Sequence, residues 1–194
     1  NLGGRFYGGW WQSLPSIYRP HITIDDYKTV EVDYSTMSLR LLYAREGKKV
    51  PLSRDMYDLG LKGSGEYLKT ARKLIKVFIN AILNDSKGNF RLNAADYKKL
   101  KLTHKELTEL VNKHHQPIKH PFGTGVGLEL MYLDSILAER LMEWFTYNNV
   151  ILLPIHDSFI IRAGYAFSLQ EQMKIEFKRL VAADIKVKSD VMKL

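Results

Sequence analysis

Two short hairpins constrain this chain more than any other feature. Val150-Ile-Leu-Leu-Pro-Ile155 and Ser158-Phe-Ile-Ile161 are apolar runs of strand length, separated only by His156-Asp157. A two-residue connection can close only an antiparallel pair, because parallel neighbours need a crossover of about a dozen residues. His21-Ile-Thr-Ile24 and Lys28-Thr-Val-Glu-Val-Asp33 alternate polar and apolar residues around Asp25-Asp26, which reads as a second hairpin. Alternation with period two sets Val30 and Val32 on the core face and Glu31 and Asp33 on the other. Asp33 and Asp157 each stand where an apolar strand runs out.

Helix signals fill most of the remaining chain. Ser35 is positioned to cap a helix reaching about Glu46, with Met37, Leu41 and Leu42 inward. Residues 64–84 read as a long helix, and residues 85–101, with their lysine-rich run, as a surface excursion. Thr103-His-Lys-Glu106 is a capping-box pattern opening a helix that Pro117 stops. Gly123, Gly125 and Gly127 precede a strongly apolar helix over 128–147, and an amphipathic helix covers 168–183. Together these elements predict an α+β fold, without internal repeats or a low-complexity linker.

Composition narrows the partners. At 194 residues and 45% hydrophobic content, the chain can bury the core of one domain, or of one domain with an inserted lobe. A formal net charge of +8 favours a polyanion such as nucleic acid. The absence of cysteine excludes disulfides and thiolate metal sites. Asn1-Leu-Gly-Gly-Arg-Phe-Tyr7 has no apolar leader segment and no stretch is long enough to span a bilayer, so a soluble, cytoplasmic protein with no membrane partner is expected.

Two carboxylates delivered by separate strand ends are what a site for two Mg²⁺ ions needs, with Mn²⁺ as a substitute, and such a site serves phosphoryl transfer. Arg72, Lys76, Asn80 and Asn84 recur every four residues, so one side of the 64–84 helix offers two cations and two amides to a single ligand such as a triphosphate. The same stripe would also serve as a plain solvated face. His114, His115 and His120 are read as surface or nucleic-acid contacts in preference to metal ligands. Trp10 and Trp11 are read as packing residues in preference to base-stacking ones. The glycines from Gly3 to Gly9 lack the Gly-Lys-Ser/Thr ending of a P-loop.

Val32-Asp-Tyr-Ser-Thr-Met-Ser-Leu-Arg40 resembles motif A of the family A, DNA polymerase I-like, nucleic acid polymerases, whose usual form is Asp-Tyr-Ser-Gln-Ile-Glu-Leu-Arg. Arg72-Lys-Leu-Ile-Lys76-Val-Phe-Ile-Asn80 resembles their motif B finger helix, and Ile155-His-Asp-Ser158 their motif C. Gly4-Arg5 and Gln12-Ser-Leu-Pro15 are similar to segments that precede motif A in that family. The resemblance implies an antiparallel palm sheet backed by helices, with a helical fingers lobe inserted. Residues 1–63 would be the first part of the palm, 64–120 the fingers lobe and 121–194 the second part of the palm.

It also implies roles. Asp33 and Asp157 would be catalytic and hold both metals, with the main-chain carbonyl of Tyr34 as a further ligand. Arg72, Lys76, Asn80 and Ser38 would bind the nucleotide, a dNTP or rNTP. Arg5, Gln12 and His156 would lie along a DNA primer-template. A thumb would come from an N-terminal region or a partner subunit. Where the family has a glutamate under the sugar, this chain has Ser38, which should weaken discrimination against ribonucleotides. Ser158 after the motif C aspartate, and Asp134-Ser135, are closer to the single-subunit RNA polymerases. Asn80 replaces the motif B aromatic, and Asn84-Asp85 the later Tyr-Gly. The expected function is DNA-directed nucleotide addition, with a primase or RNA polymerase as one alternative and an inactive nucleic-acid-binding replication protein as another.

Overall fold

Asp25 and Asp26 both take positive φ, 49° and 61°, which a tight hairpin turn requires. β1 (Thr23–Ile24) therefore folds directly back on β2 (Tyr27–Tyr34), setting Ile24 against Tyr27. β3 (Leu152–Ile155) and β4 (Ser158–Arg162) also close through two residues, with Ile155 against Ser158, but here only His156 takes positive φ, 51°. The computed structural model, which describes residues 4–190, joins both hairpins by pairing β2 with β4, Val32 opposite Phe159 and Asp33 opposite Ser158. A strand not anticipated from sequence, β5 (Val187–Asp190), takes the opposite edge of β2. Among the described residues the sheet is five-stranded and antiparallel, and with seven α-helices the fold is α+β.

Val30, Val32 and Tyr34 turn to the main core together with Phe159 and Ile161. α6 (Gly127–Tyr147) and α7 (Ala166–Val181) back this face, with Leu137, Leu141 and Phe145 from one and Leu169, Met173 and Phe177 from the other. The Tyr34 hydroxyl, buried between them, donates to the Met173 carbonyl at 3.0 Å. On the other face Ile22, Ile155 and Ile160 form a small cluster under Trp11 and Leu14. The short helix α1 (Trp10–Ser13) is tied there by the Trp11 indole and the Gln12 amide, both donating to Pro154 O at 3.0 Å. Trp11 thus packs as anticipated, whereas Trp10 is 64% exposed. Gly3 lies outside the described residues, as do the other ends of the first and last sequence segments, 1–2 and 191–194.

α2 (Met37–Arg45) buries Met37, Leu41 and Leu42, but Ser35 is not its cap. The Ser35 amide is held by Lys186 O at 2.8 Å, extending the sheet's bonding by one residue, and Thr36 takes the N-cap position at φ 56°. α3 (Gly65–Asn84) is capped by Ser64, and α5 (His104–His114) has the full capping box on Thr103. Residues 85–101 are not merely a surface excursion. They contain α4 (Ala94–Leu100), where Asn93 caps and Leu100 is fully buried while Lys98 and Lys99 stay in solvent. Phe78 and Leu83 of α3 and Leu107 and Val111 of α5 share the core that includes the sheet. α6 starts hard against the end of α3: a Cβ at Gly127 would run into the Asn84 side-chain oxygen and stand 3.1 Å from Leu83 O.

Between α2 and α3 the chain has no regular element and is fixed by side chains. Arg40, 5% exposed, donates to Pro51 O and Leu52 O at 3.3 Å. Arg54 donates to His114 O. His115, fully buried, bridges Tyr43 Oη at 3.1 Å and Met56 O at 2.9 Å, so it is a core residue and not the surface contact expected from sequence. His120 pairs with Glu46 at 3.2 Å. Among the described residues no group of three or more His, Cys, Asp or Glu is placed to hold a metal, and no helix is long and apolar enough to cross a membrane.

Burial, with a smaller contribution from His114, pushes the His115 imidazole down to about 4. The unfolded chain therefore takes up this proton first as pH falls, and the stability His115 contributes is lost between its ordinary value near 6.5 and about 4. His115→Gln should cost on the order of 1–3 kcal/mol at neutral pH. The gap from wild type should shrink as pH falls through that window, measured by urea denaturation; a gap independent of pH would contradict this role.

Candidate active site

The pairing of β2 with β4 sets the site. Asp33 lies opposite Ser158, the residue after Asp157, and the Tyr34 amide donates to Asp157 O at 3.3 Å. The two carboxylates thus emerge from adjacent strands at the same end of the sheet. They open into a cleft of about 390 Å³ walled by α2, α3 and α6. Asp33 stands open to solvent on its floor, but the surrounding walls thin its hydration. Desolvation, followed by the charge of Asp157, raises its carboxyl to about 7, while Lys76 and Lys188 act in the opposite direction.

Three features of the segment from Tyr34 to Ser38 meet here. The Tyr34 ring is buried in the core, so its backbone is what it presents to the cleft. Ser38, in the first turn of α2, is half-buried in the wall. Ser35 Oγ is buried without a hydrogen-bond partner. Ser158 does not line the cleft: its single hydroxyl proton is directed at the Glu31 carboxylate, 2.5 Å away, with Ile155 O the alternative acceptor at 3.1 Å.

α3 brings Arg72, Lys76, Asn80 and Asn84 to the cleft, as the four-residue spacing requires. Arg72 forks onto Asp55 at 2.5 and 3.1 Å and lies 5.5 Å from the Tyr57 ring centroid. Burial works against the Asp55 charge, but the Arg72 fork and the Tyr57 amide hold its carboxyl below the usual range. The Tyr57 hydroxyl is pushed up to about 12 by burial and then by Asp157. Asn80 Oδ1 is buried and unpartnered, and Asn84 donates back to Asn80 O at 2.7 Å. Asp85 accepts from the Lys87 and Phe90 amides, so the Asn84-Asp85 pair ends the helix and shapes the following turn.

On the opposite wall Arg5 donates to Asp134 at 2.8 Å. Asp134 is 4% exposed, and burial raises its carboxyl to about 6 against the pull of Arg5. His156 stands exposed at the rim, with the Tyr7 ring 6.3 Å away. Of the residues singled out in sequence, Asp33, Asp157, Tyr34, Ser38, Arg72, Lys76, Asn80, Arg5 and His156 all line this cleft, and Gln12 does not. Sequence reasoning missed Asp55, Tyr57 and Lys188. The first two lie on a segment with no periodicity, and Lys188 depends on recognising β5.

Hard oxygen donors at the strand ends suit a hard cation. Mg²⁺ is commonly held by one or two carboxylates and completes its shell with water and substrate phosphates, so two aspartates without a protein cage are compatible with it. Apart from a cation, the desolvated charge of Asp33, with the repulsion of Asp157 added to it, destabilises the fold. A carboxyl raised in the native state loses stability as pH climbs from its ordinary value near 3.8 to about 7. Asp33→Asn should therefore match wild type near pH 4 and exceed it in Tm above pH 7, in buffers free of divalent ions. Equal Tm values across that range would contradict the electrostatic strain assigned to Asp33.

No family model matches this sequence, and no curated protein matches it. Among solved structures, the polymerase domain of Pol1 from M. smegmatis, in complex with a DNA primer-template and dNTP, is similar with a TM-score of 0.49 and 8% identity. That similarity covers 87% of this chain, which spans 40% of the length of the other.

Proposed function

We propose that this chain is a template-directed nucleotidyltransferase, a reduced relative of the family A polymerases, which adds nucleotides to a primer 3′ end. The observation that carries the proposal is the convergence of Asp33 and Asp157 with Arg72 and Lys76 in one cleft. Paired carboxylates and a flanking row of cations match the two demands of phosphoryl transfer, metal binding and neutralisation of a triphosphate. The order in which the motif-like segments occur supports the same assignment.

In this proposal Asp33, Asp157 and the Tyr34 carbonyl hold two Mg²⁺ ions, with Mn²⁺ as a substitute. When bound, the ions lower the pKa of the primer hydroxyl and stabilise the pyrophosphate leaving group. Arg72 exchanges Asp55 for the incoming phosphates, and Lys76 adds a point charge beside them. Asn80 offers its unpartnered oxygen to the nucleotide, and Ser38 lies under the sugar. Arg5 and His156, on the opposite wall and rim, position the primer-template backbone. Residues 1–63 and 121–194 would then be palm, and 64–120 a fingers-like lobe.

Ser38 favours a second version of this activity. Its short side chain in the cleft wall leaves room for a 2′-hydroxyl, which would make the chain a primase or RNA polymerase using rNTPs. Extension of a labelled primer on DNA, with dNTPs and rNTPs compared, separates the two. Wild type should extend in Mg²⁺, and Asp33→Ala or Asp157→Ala should each lower the rate on the order of 10³-fold. Arg72→Ala should raise the nucleotide KM about tenfold, the scale of one charge-assisted hydrogen bond. Primer-template binding without extension, even with an added thumb, would replace the enzyme with a non-catalytic nucleic-acid-binding module.

A further inference from the structure

Strand β5 adds a cation that the motif-like segments do not contain. Its Lys188 lies directly opposite Asp33 in the antiparallel register, on the edge of β2 away from Asp157. Residues directly opposite in such a pair project from the same face. Lys188 lines the same cleft as Arg72 and Lys76. It is exposed, so its ammonium is available to a ligand. The register of β5 is fixed just upstream, where the Ser35 amide donates to Lys186 O at 2.8 Å.

The charges divide the cleft into two sides. Lys188 and Arg72 both act on Asp55, and Lys188 and Lys76 both act on Asp33. Arg5 lies instead against Asp134, a group that feels Asp157. Three cations from α3 and β5 therefore line the one cleft, two of them acting on Asp33, and the only carboxylate among the described residues that forms an ion pair with any of them is Asp55, on Arg72. Three positive groups around one concavity match a triphosphate, whose β- and γ-phosphates carry most of its charge, better than a nucleic-acid backbone with one charge per phosphate.

We propose that Lys188 is a phosphate-binding residue of this cleft, completing with Arg72 and Lys76 a subsite for the β- and γ-phosphates of a nucleoside triphosphate. The inference rests on the nucleotidyltransferase reading and adds to it a residue from the sheet edge. Asp55 occupies Arg72 when the phosphates are away, and Lys188 provides a charge that no other group has to release.

The test is equilibrium titration of the full chain with a fluorescently labelled nucleoside triphosphate and the matching monophosphate, in Ca²⁺. Lys188→Ala should weaken triphosphate binding about tenfold and leave monophosphate binding within about twofold, and Lys188→Arg should restore most of the loss. Lys188→Ala should keep the far-UV circular dichroism of wild type, since the side chain is exposed, and Lys174→Ala on the exposed face of α7 should change neither affinity. In primer extension, the nucleotide KM of Lys188→Ala should rise while primer-template affinity holds. Triphosphate binding by Lys188→Ala equal to wild type, in a protein that extends primers, overturns the role of Lys188 alone. A wild type that binds no triphosphate overturns the nucleotidyltransferase reading, and this subsite with it.

Discussion

The placement of Asp33 and Asp157 side by side at one sheet end, where Asp33 is both desolvated and faced by a like charge, is the constraint on which the rest of the site depends. A single register, Val32 opposite Phe159, fixes both carboxylates at one sheet end, and slipping it by one residue would send Asp33 into the core and Val32 into water. That register is enforced by apolar burial, since Val32 and Phe159 are almost fully enclosed and Tyr34 anchors on α7. Core packing thus holds together two groups that electrostatics would separate. A fold maintained against such a cost commonly marks a functional site, where a ligand relieves the strain.

Relief is arranged asymmetrically. On the β5 and α3 side stand Lys188, Lys76 and Arg72; on the other wall Arg5 is engaged by the buried Asp134. Under the proposed function, a triphosphate would be drawn to the Lys188 side of the carboxylate pair, leaving the His156 rim for the primer-template. The irregular segment between α2 and α3 matters here because it carries Asp55 and Tyr57. Arg40 and His115 hold it from the core and Arg54 ties it to His114 O, so the cleft residue Tyr57 and the Arg72 partner Asp55 are positioned by hydrogen bonds to backbone carbonyls and not by secondary structure.

What was legible in the sequence was local. Both two-residue turns, the capping box at Thr103 and the spacing of Arg72, Lys76, Asn80 and Asn84 are signals contained within a few residues, and each reappears in the fold. Asp33 and Asp157 could be paired only because each ended a strand. The failures were non-local. β5 is four residues of weak alternation whose pairing is decided by β2, and the Ser35 cap was displaced by a bond to Lys186 that no nearby pattern announces. α4 hid behind its lysines because one buried leucine and one asparagine cap suffice to seat it. His115 looked like part of a basic surface run, yet its role is set by Tyr43 and Met56, far away in the chain.

The central claim is that the Asp33 and Asp157 pair is a divalent-metal site. Crystals soaked with Mn²⁺ and a non-hydrolysable nucleoside triphosphate, examined by anomalous scattering, test it most directly. The expected result is Mn²⁺ within about 2.2 Å of both carboxylates, with the phosphates toward Lys188. Mn²⁺ absent from this strand end, or bound only elsewhere, would contradict it.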